Sequence, residues 1–344
     1  MAAHRAYVYQ AQGQTPVIEN LPTPTPGTDE VVISVKAVAL NPLDNYMLDF
    51  GAFIGQWPAI AGSDVAGVIE NVGSASSNAT LGTLKPGVRV LAMTEAFSKL
   101  GKLPYGGFQE KLIVHISKVT PIPESLTFAD AAIVPIGLWT TWLALQVIGI
   151  KPETRYTSSD NKGFLVWGAS SSIGSAGMQV ARSLGYQVYA AASTQHHEYL
   201  KSLGANVVID YADSTTAVES IISAAKKQGV TITEAFHAIG DLKPVLEIVA
   251  AFGGGKVATA QPPNESTPQV ESVQWSFVKP DDDEDARNKY DAFIFNRWLP
   301  QALLDGTYKP SPKTNVVGKG LESLGDALKT LKNGARGEKF VVEF

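Results

Sequence analysis

The 344-residue sequence contains no cysteine. Disulfides and thiol catalysis are therefore excluded, and a structural zinc site loses its usual thiolate ligands. An excess of charge of either sign is also missing. The 28 Lys and Arg against 33 Asp and Glu leave a formal charge of −5, which gives no electrostatic footprint for nucleic acid or an anionic membrane. No uninterrupted apolar run approaches the roughly 18 residues of a membrane span. Met1-Ala-Ala-His-Arg5 is not followed by a signal-peptide core. These absences predict a cytoplasmic protein without nucleic-acid or membrane partners. No Gly-x-Ser-x-Gly elbow occurs either, which speaks against a serine hydrolase.

What is present is an ordinary globular composition, 44% hydrophobic and 18% charged, long enough for two domains with sizeable cores. The first third reads as strands separated by Gly and Pro, at 6–10, 31–40, 64–72, 89–92 and 108–114. From Pro121 the pattern changes. Helical spacing over 127–132 and 135–147 leads into alternating strands and helices, at 163–167, 173–184, 187–192, 196–203, 207–210, 214–227, 235–238, 243–251 and 255–260. Such alternation predicts a parallel, doubly wound sheet. Residues 270–278 alternate like a sheet-edge strand. Asp281-Asp-Asp-Glu-Asp285 reads as the acidic start of a helix over 286–304. The tail holds a short helix around 321–331 and a last strand, 339–344. Asn78-Ala-Thr80 has the form of a glycosylation acceptor and reads as a surface loop.

The most informative stretch joins the strand ending at Trp167 to the helix after it through Gly168, Ala169, Ser170, Ser171, Ser172, Ile173 and Gly174. A turn of small residues at a helix start leaves backbone N–H groups unpaired at the positive end of the helix dipole, so a pyrophosphate belongs there. Ser172 stands at the first glycine position of Gly-x-Gly-x-x-Gly, with Gly174 and Gly177 at the other two. The next strand ends Ala192-Ser-Thr-Gln195. It lacks the Asp or Glu that NAD-selective folds place about 20 residues beyond the turn. With Ser193, Thr194, His196 and Lys201 nearby, NADPH is the predicted cofactor. His196 reads either as a ribose-phosphate contact or as plain surface.

Six motifs occur in order over nearly the whole chain: Gly62-Ser-Asp-Val-Ala-Gly67, Pro123-Glu-Ser-Leu-Thr-Phe-Ala-Asp-Ala-Ala132, Thr140-Thr-Trp142, the nucleotide turn, Ser202-Leu-Gly-Ala205 and Gly337-Glu-Lys-Phe-Val-Val342. Together they resemble the medium-chain dehydrogenase/reductase superfamily. Within it the chain is similar to the zinc-free branch of quinone oxidoreductases and enoyl reductases, including the fungal trans-acting enoyl reductases that serve polyketide synthases. The resemblance implies an α/β protein with a catalytic GroES-like β domain, residues 1–125 and 307–344, and an NADPH-binding Rossmann domain, residues 126–306, with the active site in the cleft.

Zinc-dependent relatives carry a cysteine near Asn41 and a histidine where this chain reads Gly62-Ser63-Asp64. Both are missing, and among His4, His115, His196, His197 and His237 only one adjacent pair occurs, so no catalytic metal is expected. In Asn41-Pro-Leu-Asp-Asn-Tyr46 the resemblance places Asn41 near the nicotinamide and makes Tyr46 an acid or hydrogen-bond donor. A phenol, with a reference pKa of about 10, is protonated at neutral pH. The other reading of Tyr46 is an aromatic packed under the loop 48–57. Asp44 reads as a turn or capping residue. Tyr211 matches a tyrosine that contacts the adenosine phosphate, its other reading being a half-buried strand end. Thr140, Ile239 and Gly240 match nicotinamide-side positions. The implied activity is reduction of an activated C=C bond in an enoyl thioester, enone or quinone, free or carrier-bound, with a polyketide synthase as a candidate partner and a monomer or homodimer as the working unit. An NADPH-binding scaffold or a non-redox enzyme of secondary metabolism is the alternative on the same fold.

Overall fold

The computed structural model describes residues 2–74 and 84–344, so Asn78-Ala-Thr80 lies outside the described residues. The chain begins β1 (Ala3–Val8), β2 (Val17–Pro22), β3 (Glu30–Ala39), α1 (Pro42–Phe50), β4 (Asp64–Val72), β5 (Arg89–Met93), β6 (Lys111–His115), β7 (Val119–Pro121), α2 (Phe128–Ala132) and α3 (Pro135–Val147). Strands and helices then alternate through β8 (Lys162–Trp167), α4 (Ser172–Ser183), β9 (Gln187–Ala191), α5 (His197–Ser202), β10 (Val207–Ile209), α6 (Ser214–Lys227), β11 (Thr231–His237), α7 (Lys243–Ala250), β12 (Gly255–Thr259) and β13 (Val273–Phe277). The chain ends with α8 (Glu284–Ala292), α9 (Leu299–Leu304), β14 (Lys313–Lys319), α10 (Leu324–Lys332) and β15 (Glu338–Glu343). It divides into two compact units, residues 1–136, 283–306 and 313–344, and residues 137–282 with 307–312.

The first unit is a GroES-like β domain. Its larger sheet runs β14-β15-β3-β4-β5-β7, with β6 also paired to β3, and only the β14–β15 pair is parallel. β3 is central because it is rich in β-branched residues that pack well on a pleated surface. Val31, Val32, Ile33, Val35 and Val38 are all buried. Pairing of β15 with β3, Val341 opposite Ala39, brings the C-terminal strand beside the start of α1.

The second unit is a six-stranded, all-parallel sheet in the order β10-β9-β8-β11-β12-β13. Counted from β8, that is 3-2-1-4-5-6, the Rossmann order, and the chain reverses its direction of travel between β8 and β11. Ligands of such sheets bind at the carboxyl ends of the strands at that reversal. β13 occupies the edge position expected of 270–278.

Two expectations differ from the structure. The expected boundaries were 125/126 and 306/307, whereas the two compact units divide after residues 136, 282, 306 and 312, with 283–306 packed in the first unit. Thr120 Oγ1 donates to Phe295 O at 2.5 Å, Asn296 Nδ2 donates to Ile116 O and Val119 O at 3.0 and 2.8 Å, and the buried Lys118 pairs with Asp291 at 3.0 Å. The stretch 48–57 is not all loop, since α1 continues to Phe50 and ends on Gly51 in the left-handed conformation. The helical segment Phe128–Val147 is by length and composition sufficient to cross a membrane, and 78% of its most apolar window is buried inside the protein, as in a core helix.

Candidate functional site

In the second unit the turn after β8 has the form a dinucleotide requires. Gly168 adopts φ +79°, and a Cβ there would meet Ile239 Cγ2 at 2.5 Å. Gly174 is confined from the other side, since its Cβ would lie 2.3 Å from Gly168 O. Ser171 caps α4, its Oγ accepting from the Gly174 amide at 3.1 Å and donating to Gly168 O at 2.8 Å. The amides of Ser172 and Ile173, at the first two helical positions, have no intrahelical acceptor by construction. Ser170, Ser171, Ser172 and Ile173 are half-buried. A bare cradle of this kind admits a pyrophosphate, so the residues present fit a dinucleotide.

The expected neighbours gather at the same end of the sheet. Ile239, half exposed, lies across Gly168, and His237 Nε2 donates to Gly240 O at 3.1 Å, steadying the loop after β11. Burial holds the His237 imidazole below its usual pKa. Tyr211 is half-buried, its ring centroid 5.7 Å from that of Trp167, the last residue of β8. Ser193 follows β9 and is half-buried. His196 lies within hydrogen-bond distance of Gln195, and the Lys201 ammonium is engaged by Glu198 at 2.8 Å on an exposed surface. Thr140 is half-buried on α3, whereas its neighbour Thr141 is fully buried and donates to Ile173 O at 3.0 Å.

One residue of this group was missed by the sequence reading. Asp210 accepts a hydrogen bond from Thr194 Oγ1 and another from the Ala212 amide at 2.8 Å, and these, the Thr194 contact foremost, hold its carboxyl below the usual range. A carboxylate therefore does stand beside Ser193 and Thr194, supplied by the strand next door. The signal lay in the parallel register, which sets Ile209 against Ala191 and so carries Asp210 to the end of β9.

In the first unit Asn41 immediately precedes α1 and Tyr46 lies within it. Tyr46 is 51% exposed, its ring centroid 6.1 Å from that of Phe50. That exposure removes the reading of an aromatic packed away beneath a loop. Asn41 is buried, and its Nδ2 donates to Asp64 Oδ2 at 2.9 Å. Asp44 Oδ2 accepts from the Asn41 amide at 2.7 Å, so its capping role holds. Asp64 is fully buried and ion-paired with Lys339 at 3.1 Å. Among the described residues no group of three or more His, Asp or Glu is disposed to hold a metal ion.

Residues 27–124 match the alcohol dehydrogenase GroES-like domain family, and residues 172–269 the zinc-binding dehydrogenase family. The trans-enoyl reductase tndF of Aspergillus flavipes is 38% identical over 98% of this chain and 98% of its own length. The trans-enoyl reductase tazE of Aspergillus terreus is 39% identical over 84% and 96%. Among solved structures, a putative zinc-dependent alcohol dehydrogenase of Rhizobium etli superposes with a TM-score of 0.77 at 21% identity, covering 100% of this chain and 99% of that one. The CurK enoyl reductase superposes with a TM-score of 0.72 at 18% identity over 98% and 99%, a likeness of fold alone. The whole-length identity to the fungal reductases, on a chain with a GroES-like unit and a Rossmann unit in that order, makes this protein a member of the medium-chain dehydrogenase/reductase superfamily of nicotinamide-dependent oxidoreductases.

Proposed function

We propose that the protein is a zinc-independent, NADPH-dependent reductase of a C=C bond conjugated to a carbonyl, with an enoyl thioester of secondary metabolism as substrate, free or carried by a polyketide synthase. The observation that carries this reading is the whole-length identity to two trans-enoyl reductases. The contents of the first unit support it. This chain has no cysteine before the Asn41 region and reads Gly62-Ser63-Asp64 where zinc-dependent relatives carry a histidine, and the carboxylate of Asp64 is already taken by Lys339, Asn41 and the Ile136 amide. Zinc does not fit such a set. A conjugated alkene needs only stabilisation of an enolate oxygen and a proton source, which hydrogen-bond donors such as a phenol supply without a metal.

When bound, the nicotinamide supplies a hydride for the β-carbon. The amides of the Gly168–Gly174 turn hold the pyrophosphate. Ser193, His196, Lys201 and Tyr211 would receive the adenosine phosphate, and Thr140, Ile239 and Gly240 would attend the nicotinamide side. The Tyr46 phenol then gives its proton to the α-carbon, completing the addition of two hydrogens.

A product-verified screen with NADPH against enoyl thioesters, enones, enals and quinones tests this. The expected result is a saturated thioester formed one for one with NADPH consumed. Tight NADPH binding with no turnover across the panel would instead favour a cofactor-binding scaffold.

A further inference from the structure

The first unit buries three acidic and basic groups in one cluster, and neither the nucleotide turn nor a tyrosine acid requires them. Lys339 on β15 and Asp64 at the start of β4 are 4% and 0% exposed. Their 3.1 Å ion pair closes a ring with Asn41, whose Oδ1 accepts from Lys339 and whose Nδ2 donates to Asp64. The other oxygen of Asp64 accepts from the Ile136 amide at 2.7 Å. Asp44, fully buried, accepts from the amides of Asn41 and Gly62 at 2.7 and 3.1 Å. The groups that face Asp44 from other elements are Asp64 on β4, Lys339 on β15 and Tyr9 after β1, whose hydroxyl reaches the Asp44 carbonyl at 3.4 Å. One ammonium thus ties the first turn of α1 to two strands that are far apart in the sequence. A well-packed apolar group in place of a buried ion pair is often as stable or more so, so stability alone does not account for the arrangement. The fastened helix exposes Tyr46 together with Pro42 and Phe50.

We propose that Lys339 is a positioning residue, whose ammonium, bridging Asn41 and Asp64, fixes the first turn of α1 and so the place of Tyr46. The catalytic consequence rests on Tyr46 being the proton donor, whereas the fastening of α1 does not. Lys339→Met removes the charge and keeps the length of the stem, Lys339→Arg keeps the charge, and Tyr46→Phe with and without Lys339→Met completes a cycle. The expected result is a kcat about tenfold lower in Lys339→Met, an NADPH affinity within about twofold of wild type, and recovery of most of the kcat in Lys339→Arg. Amide exchange over residues 43–50 should quicken in Lys339→Met. The double variant should be no slower than Tyr46→Phe alone.

Wild-type kcat and unchanged exchange in Lys339→Met would overturn the proposal, as would a double variant slowed by the product of the two single effects. Wild-type kcat in Tyr46→Phe, with faster exchange in Lys339→Met, would remove the proton-donor reading and still support the fastening of α1. Should Lys339→Met not fold, Asp64→Asn combined with Lys339→Met removes both charges of the buried pair together, and the same readings decide the matter.

Discussion

At the scale of single residues, Tyr46 and Asp44 share one helix and answer to different physics. Tyr46→Phe keeps the ring and its neighbour Phe50 while removing the phenol. Turnover should fall by about 10²-fold, as for loss of a positioned acid, with NADPH affinity unchanged. Steady-state kinetics beside calorimetry checks both halves, and full activity would hand the proton to solvent. Asp44 is a question of pH. Burial pushes its carboxyl up from 3.8 to about 7, with the Asp64 charge adding to the effect and the Asn41 amide and Lys339 opposing it. A carboxyl raised on folding holds its proton more tightly in the native state, so its stabilising effect is complete below about pH 4 and is lost as the pH rises through about 7. Between about pH 4 and 7 the stability of the wild type should therefore decline relative to that of Asp44→Asn, which cannot titrate, and level off above. Denaturant melts of the two proteins at several pH values measure the difference in slope. Parallel curves would return Asp44 to an ordinary carboxylate.

At the scale of elements, the turn between β8 and α4 was legible because small residues between an apolar run and a helical pattern have few other uses. The helix 214–227 and the edge strand near 270 were legible for a similar reason, since each follows its hydrophobic period. β14 and β2 were not. Both carry mostly exposed or half-exposed residues, and their pairing with β15 and β1 is set by partners that local patterns do not encode. The Lys339–Asp64 pair, 275 positions apart, and the approach of Asp210 to Thr194 were hidden in the same way. The turn itself is open to a direct test. In Gly174→Ala the new methyl would meet Gly168 O and the Ala169 backbone at 2.3 and 2.9 Å, so the turn must open. Affinity for NADPH should drop by about tenfold or more, about 1.4 kcal/mol, by calorimetry. Asp210 bears on cofactor choice. NADPH should bind about tenfold tighter than NADH, within the reach of one charge-assisted phosphate contact. Asp210→Asn, by removing a like charge next to Thr194, should widen that ratio severalfold. An unchanged ratio would mean that the phosphate does not lie beside Ser193 and Thr194.

At the scale of the whole molecule, a family whose matching domain is described as zinc-binding meets a chain with no cysteine at all. A catalytic zinc takes about three protein ligands and keeps one position open. Here the carboxylate nearest the expected site lies 3.1 Å from the Lys339 ammonium, and an arriving dication would have to displace that cation from a buried position. The repulsion would act at short range and low dielectric, where it is least screened. Purified protein should therefore carry well under one zinc per chain by elemental analysis, and its reductase activity should survive prolonged exposure to a strong chelator. Added zinc should leave the melting temperature unchanged, because a metal that binds only the native state raises it by mass action. One equivalent of zinc per chain, lost together with activity on chelation and restored with it, would place a Lewis acid in the mechanism and displace the Tyr46 scheme.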